Sequence, residues 1–425
     1  MINGTNAAQF SADQGIRFAD VIDGQPEALR HLARRAGIDP GMLQSSGFRR
    51  IDTWRFERNG ITQPRHGVKS PVTRVCPACL REDALASDLN LQNAMAFRGS
   101  WQVPFLRSCT RHNLLLFPLW TEANRLDRYD FAAKLGLHLD QIMTGDLDSV
   151  EFEPFAFGHW VERRLSGQND GAWLDQFDFY AAATFCELLG RAMVLSVVPK
   201  RHSPAEGEWQ QIAELGYRCA RQGEAAIQTI LSEVQQRGGP PNDGPSARFG
   251  PLYKRLSRDL NEPEFAPFRD IVRRHMIATR PLGAGGSIVG ERVATRRLHS
   301  VRRASDQSGI ETVKLRKTFA AAGLATSDPA ISDAWDVFVA GARHDHAPST
   351  ARINCVSVAI SRPGSKRRQR SLASCNSIRA GRGASVSVTA IGTDNSGCLP
   401  NSKGKNSASG KGESSPFFFR SCRQA

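Results

Sequence analysis

The chain has 425 residues, 40% hydrophobic and 23% charged, enough for two or three domains with cores of their own. No run approaches the roughly 18–20 apolar residues that a bilayer-spanning helix needs. The opening MINGTNAAQFSADQG also lacks the basic start and apolar centre of a secretory signal, so the expected location is cytoplasmic, where paired cysteines point to metal rather than to disulfides.

The formal net charge of +14 is unevenly spread. Residues 341–425 hold 14 Lys/Arg against 3 Asp/Glu, leaving 42 against 39 in residues 1–340. Overall basicity is therefore no argument for nucleic-acid binding by the folded part, which must rest on local patches.

Three regions separate along the chain: 1–130 of mixed character, 131–340 mainly helical, and 341–425. In the first, PEALRHLARRAGID reads as an amphipathic helix and TWRFERNG as a strand. LARRAGIDPGML places Gly37 at a turn and Pro40 near the start of a following helix, which suits a helix-turn-helix as well as a plain helical hairpin. The segment 76–112 then carries Cys76-x2-Cys79 and Cys109-x2-His112.

Two close pairs of Cys and His are how a tetrahedral structural zinc is bound. Each pair lets one tight turn present two ligands, and the 29 residues between Cys79 and Cys109 must fold back to join them. With four protein ligands no position is left for a catalytic water, so the expected cofactor is a structural Zn2+. A redox C-x-x-C would leave Cys109 and His112 unexplained. Around the ligands stand Arg74, Arg81, Arg98, Arg107 and Arg111, interleaved with Phe97, Trp101 and Phe105. The arginines suit either a phosphate-binding surface or a solvated rim. Trp101 and Phe105 read as core.

From 131 to 340, GAWLDQFDFYAAATFCELLGRAM repeats apolar residues at helical spacing through Leu174, Phe177, Ala181, Thr184/Phe185, Leu188 and Ala192. EWQQIAELGYRCARQ and EAAIQTILSEVQQR follow as helices divided by Gly223 and stopped by GGPP; LYKRLSRDL, FAPFRDIVRRHM and ISDAWDVFVA continue the helical pattern. Cys186 and Cys219 are expected as buried small apolar residues. GAGGSIVG lacks the Gly-Lys-Ser/Thr ending of a phosphate-cradling loop and reads as a flexible turn.

In LHSVRRASDQSGIETVKLRKTFAAAGL a short helix is expected through Val301 and Ala304, a turn at Gly309, and a second helix from about Glu311. Val301, Ala304, Ile310, Val313, Leu315 and Phe319 would pack the pair. Glu311, Thr312, Lys314 and Lys317 would face a major groove, with Arg296, Arg297, Arg302 and Arg303 beside them for phosphates. Residues 341–425, about one-fifth serine with the basic run SRPGSKRRQR, are expected to be disordered. The abrupt change at 340 also fits a coding sequence read out of frame.

CPACLREDA followed by AFRGSWQVPFLRSCTRHNLLLF resembles the TniQ family, which accompanies bacterial DNA transposition. The likeness lies in the CPxCLxED stretch, in Arg98 with Trp101 three residues on, and in Cys-x2-His followed by leucines. It extends weakly through VIDGQPEALRHLARRAGIDPGML, FGPLYKRL and GSIVGERVATRRLHSVRRASDQSG. Many members open with a helix of the ESLLSWLARLA type where this chain has a short polar stretch, so that helix is missing here or the start is misassigned.

The resemblance implies that Cys76, Cys79, Cys109 and His112 bind zinc. It also implies a target-site adaptor that recognises double-stranded DNA or a guide-RNA effector complex and signals to a transposition AAA+ ATPase. The expected fold is mainly α with a small β/zinc-finger element: a zinc-stapled N-terminal domain and a helical C-terminal domain with a helix-turn-helix. Candidate DNA contacts are Arg302, Arg303, Glu311, Thr312, Lys314, Lys317, Arg98 and Arg111, and a homodimer is among the partner states considered. No HExxH or G-x-S-x-G spacing occurs, so no enzymatic activity is expected. The alternatives are a zinc-containing transcriptional regulator and a metal-dependent nuclease.

Overall fold

Four short helices and a small sheet come first: α1 (Ala7–Asp13), α2 (Phe18–Ile22), α3 (Pro26–Ala36), α4 (Pro40–Ser46), then strands β1 (Arg49–Arg50), β2 (Arg55–Arg58) and β3 (Ile61–Pro64). The computed structural model describes residues 5–149, 151–194, 204–236, 244–280, 282–294, 298–300, 305–306, 309–321 and 338–340. α3 is the expected amphipathic helix. It has Pro26 in its first turn, Glu27 near its N-terminus, Arg34 and Arg35 near its C-terminus, and Ala28, Leu29 and Ala33 buried.

Gly37, at φ 67°, ends α3 in the left-handed conformation that glycine adopts at least cost, and the Asp39 carboxylate caps α4 by accepting from the Met42 N–H. A helical hairpin thus stands where LARRAGIDPGML placed one. TWRFERNG supplies β2, which pairs antiparallel with β1 and β3. Asn59 and Gly60, at φ 49° and 79°, turn the chain between β2 and β3 as a type I′ hairpin requires.

β4 (Val72–Val75) pairs antiparallel with β5 (Phe117–Thr121), bracketing the segment that carries all four Cys/His residues. Between them lie α5 (Pro77–Leu85) and α6 (Leu91–Ala94). After β5 come α7 (Arg125–Arg128), α8 (Phe131–Gly136), α9 (Leu139–Thr144) and α10 (Ala156–Leu165). The main helices follow: α11 (Phe179–Val194), α12 (Glu206–Ala220), α13 (Glu224–Gln236), α14 (Pro245–Arg248), α15 (Gly250–Arg258) and α16 (Ala266–Thr279).

α11 is the central post. It is buried along nearly its whole length, as a helix apolar on all sides must be. Trp160 stacks on Phe179 at 5.5 Å between ring centroids, and Phe185 stacks on Phe268 at 4.4 Å. Phe105, from the Cys/His segment, meets Phe179 and Tyr180. One core therefore runs from Phe48 to Val293, across position 130.

α11 and α12 touch backbone to backbone. A Cβ added to Gly190 would lie 1.9 Å from the Ile212 carbonyl oxygen, and one on Gly216 would lie 1.9 Å from that of Cys186. Cys186 is fully buried, which pushes its thiol pKa well above the ordinary value. Cys219, expected to be buried, is only half-buried, packed against the edge of the same core.

Several expectations give way to local chemistry. The run GAWLDQFDFYAAATFCELLGRAM is not one helix. Trp173–Gln176 is a 3₁₀ turn and α11 begins afresh at Phe179, because the Asp178 carboxylate accepts the Ala181 N–H at 2.9 Å and so caps a new start. GAGGSIVG does turn the chain, but not as an isolated loop. It contributes to the hairpin of β6 (Ser287–Ile288) and β7 (Glu291–Arg292), turned by Val289 and Gly290 at φ 46° and 81°.

The end of ISDAWDVFVA is extended rather than helical. Phe338–Ala340, as β9, pairs antiparallel with β8 (Leu298–Ser300), consistent with the strand preference of Phe and Val. The last helix among the described residues, α17, spans Thr312–Ala321. Residues 341–425, expected to be disordered, lie outside the described residues. Among the described residues no helix is long and apolar enough to cross a membrane.

Candidate metal centre

Cys76 is the N-cap of α5 and Cys79 lies in its first turn, so the strand-to-helix junction after β4 presents both sulfurs on one side. Cys109 and His112 sit in a tight turn on the returning chain. The Cys109 N–H donates to the Leu114 oxygen and the Asn113 N–H to the Cys109 oxygen, each at 2.8 Å, with Asn113 at φ 53°. The turn is continued by a single antiparallel bridge between Ser108 and Leu115. Antiparallel pairing of β4 with β5 then brings the two turns face to face.

The three sulfurs and His112 Nδ1 all lie within 4.8 Å of one another. Nδ1 stands 3.5, 3.3 and 3.7 Å from the sulfurs of Cys76, Cys79 and Cys109, and the Cys79 and Cys109 sulfurs are 3.6 Å apart. The three cysteines are buried and His112 nearly so, and such a cluster can hold one metal ion.

Its electrostatics ask for a cation. Hydrogen bonding to Cys109 pushes the Cys76 thiol up to about 12 and drives Cys79 upward too, whereas Cys109, accepting from Cys76 and Cys79, goes far down. Three crowded sulfurs cannot all become thiolates unless positive charge joins them. Burial opposes the imidazolium of His112, but Glu82 and Cys109 outweigh it and raise the pKa.

Two carboxylates missed as functional on the sequence alone hold the centre in shape. Glu82, one helical turn beyond Cys79, accepts from His112 Nε2 at 2.9 Å and pairs with Arg111 at 2.9 Å. It fixes which imidazole nitrogen faces the sulfurs, the outer support that metal-binding histidines commonly have. Asp83 takes both ends of the Arg98 guanidinium, at 2.5 and 2.8 Å, and the Ala96 N–H at 3.0 Å. Arg98 in turn lies 5.1 Å from the Trp101 ring centroid. The signal was available in CPACLRED, where two carboxylates follow the second ligand by one turn.

The other nearby arginines also face inward. Arg74 donates to the Val103 oxygen at 2.8 Å, and Arg81 donates to the Ile142 oxygen and pairs with Asp148. Arg107 is held by Glu187 on α11 and by Glu206 on α12, tying the Cys109 turn to the helical bundle. Among the five, Arg111 alone is well exposed, at 64% of its side chain. Trp101 and Phe105 are core, as expected.

Of the candidate DNA contacts in the last segment, Glu311, Lys314 and Lys317 are exposed and Thr312 is half-buried. Gly309 makes the expected turn at φ 67°, its N–H donating to the Ser305 oxygen at 2.8 Å. Leu315 is buried, but Val313, expected to pack inward, is 53% exposed, because it and Leu315 lie about 200° apart around the helix. Leu298–Ser300 is a strand, and the helix expected through Val301 and Ala304 lies outside the described residues. Arg296, Arg297, Val301, Arg302, Arg303 and Ala304 lie outside the described residues, as does the side chain of Phe319.

Residues 1–116 match the TniQ family. The TniQ match takes in α1 to α4, the first sheet and all four metal-binding candidates, and ends just after the Cys109–His112 turn. It does not extend over α10 to α17. No curated protein matches the chain.

Proposed function

We propose that this chain is a DNA-targeting adaptor of DNA transposition that links target DNA, or a guide complex, to a transposition AAA+ ATPase. The observation that carries the reading is the TniQ match over residues 1–116, a family of transposition-associated adaptors. The closed four-residue metal cluster supports it, since four protein ligands leave no open position for hydrolytic chemistry.

Zinc is the metal that the donor set fits. Bonds of about 2.3 Å to sulfur and 2.0–2.1 Å to nitrogen in a tetrahedron put sulfurs about 3.8 Å apart and sulfur about 3.6 Å from nitrogen. The Cys79 and Cys109 sulfurs, 3.6 Å apart, and the 3.3–3.7 Å from the three sulfurs to Nδ1 lie near those values, within a cluster whose ligand atoms all fall inside 4.8 Å. Zn2+ would neutralise the thiolates and add folding free energy. Cys76, Cys79, Cys109 and His112 would hold it, Glu82 would orient His112, and Arg107 would pass the rigidity of the turn to α11 and α12.

DNA contact is assigned to exposed cations on the two glycine-turned segments: Arg34 and Arg35 beside the α3–α4 hairpin, and Lys314 and Lys317 on α17. Arg302 and Arg303 belong to the same proposed surface by sequence. Arg98, engaged by Asp83, is given a positioning role, and Arg111 a rim contact.

The test is reconstitution of the zinc-loaded full chain with the AAA+ ATPase encoded beside it and a target duplex. The adaptor reading expects a three-component complex on DNA and a change in ATPase turnover that depends on this chain. Sequence-specific DNA binding without capture of the ATPase would make the chain a transcriptional regulator instead.

A further inference from the structure

Far along the chain from the metal ligands, α14, α15 and the β6–β7 hairpin enclose a cleft of about 480 Å³, within the roughly 300–1,000 Å³ of small-ligand sites. Its lining is rich in hydroxyls: Ser246, Tyr253, Ser257 and Ser287, with Arg258 among them. The Ser257 hydroxyl is buried and has no hydrogen-bond partner, although buried polar groups are nearly always paired. One wall is the hairpin tip, where Val289 is buried yet holds φ at 46°. A β-branched residue in the left-handed region is an outlier, and retained strain of this kind clusters at ligand sites.

Charge points the same way. Leu252 and Leu256 bury one face of α15 and leave Lys254, Arg255 and Arg258 exposed on the other. None of the three forms an ion pair among the described residues, whereas Arg273 and Arg274 on the neighbouring α16 are paired with Asp270, Glu291 and Glu224. Basic residues at a helix C-terminus are favoured by its dipole, which accounts for their positions but not for the unpaired hydroxyl beside them. Asp259 is the adjoining exposed acid on the same turn and leaves the stripe net positive.

We propose that this cleft binds a backbone phosphate of nucleic acid. The Arg258 guanidinium would grip two phosphate oxygens, and the Tyr253 hydroxyl would donate to the same group. Lys254 and Arg255, within about one helical turn, would meet neighbouring phosphates. The nucleic-acid source rests on the DNA-targeting reading; the anion preference rests on the cleft alone. Together with α17, the site would let the helical part follow a duplex beyond the bases that are read.

The test uses the full zinc-loaded chain and its Lys254→Gln/Arg255→Gln/Arg258→Gln variant, all three positions being exposed. Duplex binding is followed by fluorescence anisotropy from 50 to 300 mM salt, and thermal melting is followed with and without inorganic pyrophosphate. Each phosphate that the variant no longer neutralises lowers the slope of log K against log salt by about 0.9, so the expected drop is about 2.7.

An equal slope in both proteins overturns the nucleic-acid assignment. If the wild type binds no duplex, the DNA-targeting reading fails separately and melting decides. A pyrophosphate-induced rise in Tm that Arg258→Gln abolishes would keep the anion cleft, with a small phosphate as its occupant. No rise would overturn it.

Discussion

Gly216→Ala puts a methyl group where α12 crosses α11. The added Cβ would lie 1.9 Å from the Cys186 oxygen and 2.7 Å from the Gly190 nitrogen. Bringing the shorter distance to 3.0 Å, the lower limit for real Cβ atoms, requires 1.1 Å of separation between two backbones that have no side chain to yield. Alanine gains about 1 kcal/mol over glycine in helix propensity. Overpacking of a tight core costs about 1–3 kcal/mol, and a clash with backbone places this site at the upper end.

The expected net loss at Gly216 is about 2 kcal/mol, or a Tm lower by roughly 4–8 °C in a domain of this size. Because α11 and α12 carry Glu187 and Glu206, which hold Arg107 beside the Cys109 turn, metal retention should weaken as well. Thermal melting followed by circular dichroism, with metal release read by a chromophoric chelator, measures both. A Tm raised by the propensity gain, with metal held as in wild type, would refute the proposed crossing.

Other perturbations follow from the same geometry. Cys79→Ala should release the metal and loosen residues 72–121, which limited proteolysis would reveal; unchanged protease resistance and metal content would contradict a structural centre. Glu82→Gln should weaken metal affinity about 10- to 100-fold, the usual effect of losing a carboxylate behind a histidine ligand, and chelator competition reads it. Asp175→Ala leaves Arg164 and the Trp160 indole N–H, from which Asp175 accepts at 3.2 and 2.7 Å, without their buried partner, at an expected cost of about 3–5 kcal/mol in urea unfolding. Burial lowers His275 to about 4, so between that value and the unfolded value of about 6.5 the unfolded state binds the extra proton. Stability should therefore fall as pH drops through that window, and His275→Gln should flatten the dependence.

The Cys/His cluster was legible because residue type and spacing point to it: Cys76-x2-Cys79 and Cys109-x2-His112 come together in a group that could hold a metal ion. Local signals also carried α3 and its end at Gly37. What periodicity missed depended on partners distant in sequence or on a single competing cap. The roles of Glu82 and Asp83 appear only when His112 and Arg98 fold back onto α5. The inward pull on Arg107 needs Glu187, eighty residues away. The apolar rhythm from Leu174 to Ala192 runs straight through Asp178, whose side chain restarts the helix. Phe338–Ala340 is extended because it has Leu298–Ser300 to pair with, a partner that no local window contains.

The most direct test of the account is equilibrium binding of the zinc-loaded full chain to a duplex bearing the element's insertion boundary and to a scrambled duplex of equal length, across a salt titration. The basic segment 341–425 would attract both duplexes alike, so the difference between them isolates recognition by the rest of the chain. A preference for the boundary sequence that survives about 150 mM salt is the predicted result. Equal affinity for both, vanishing together as salt rises, would contradict direct target recognition by this chain.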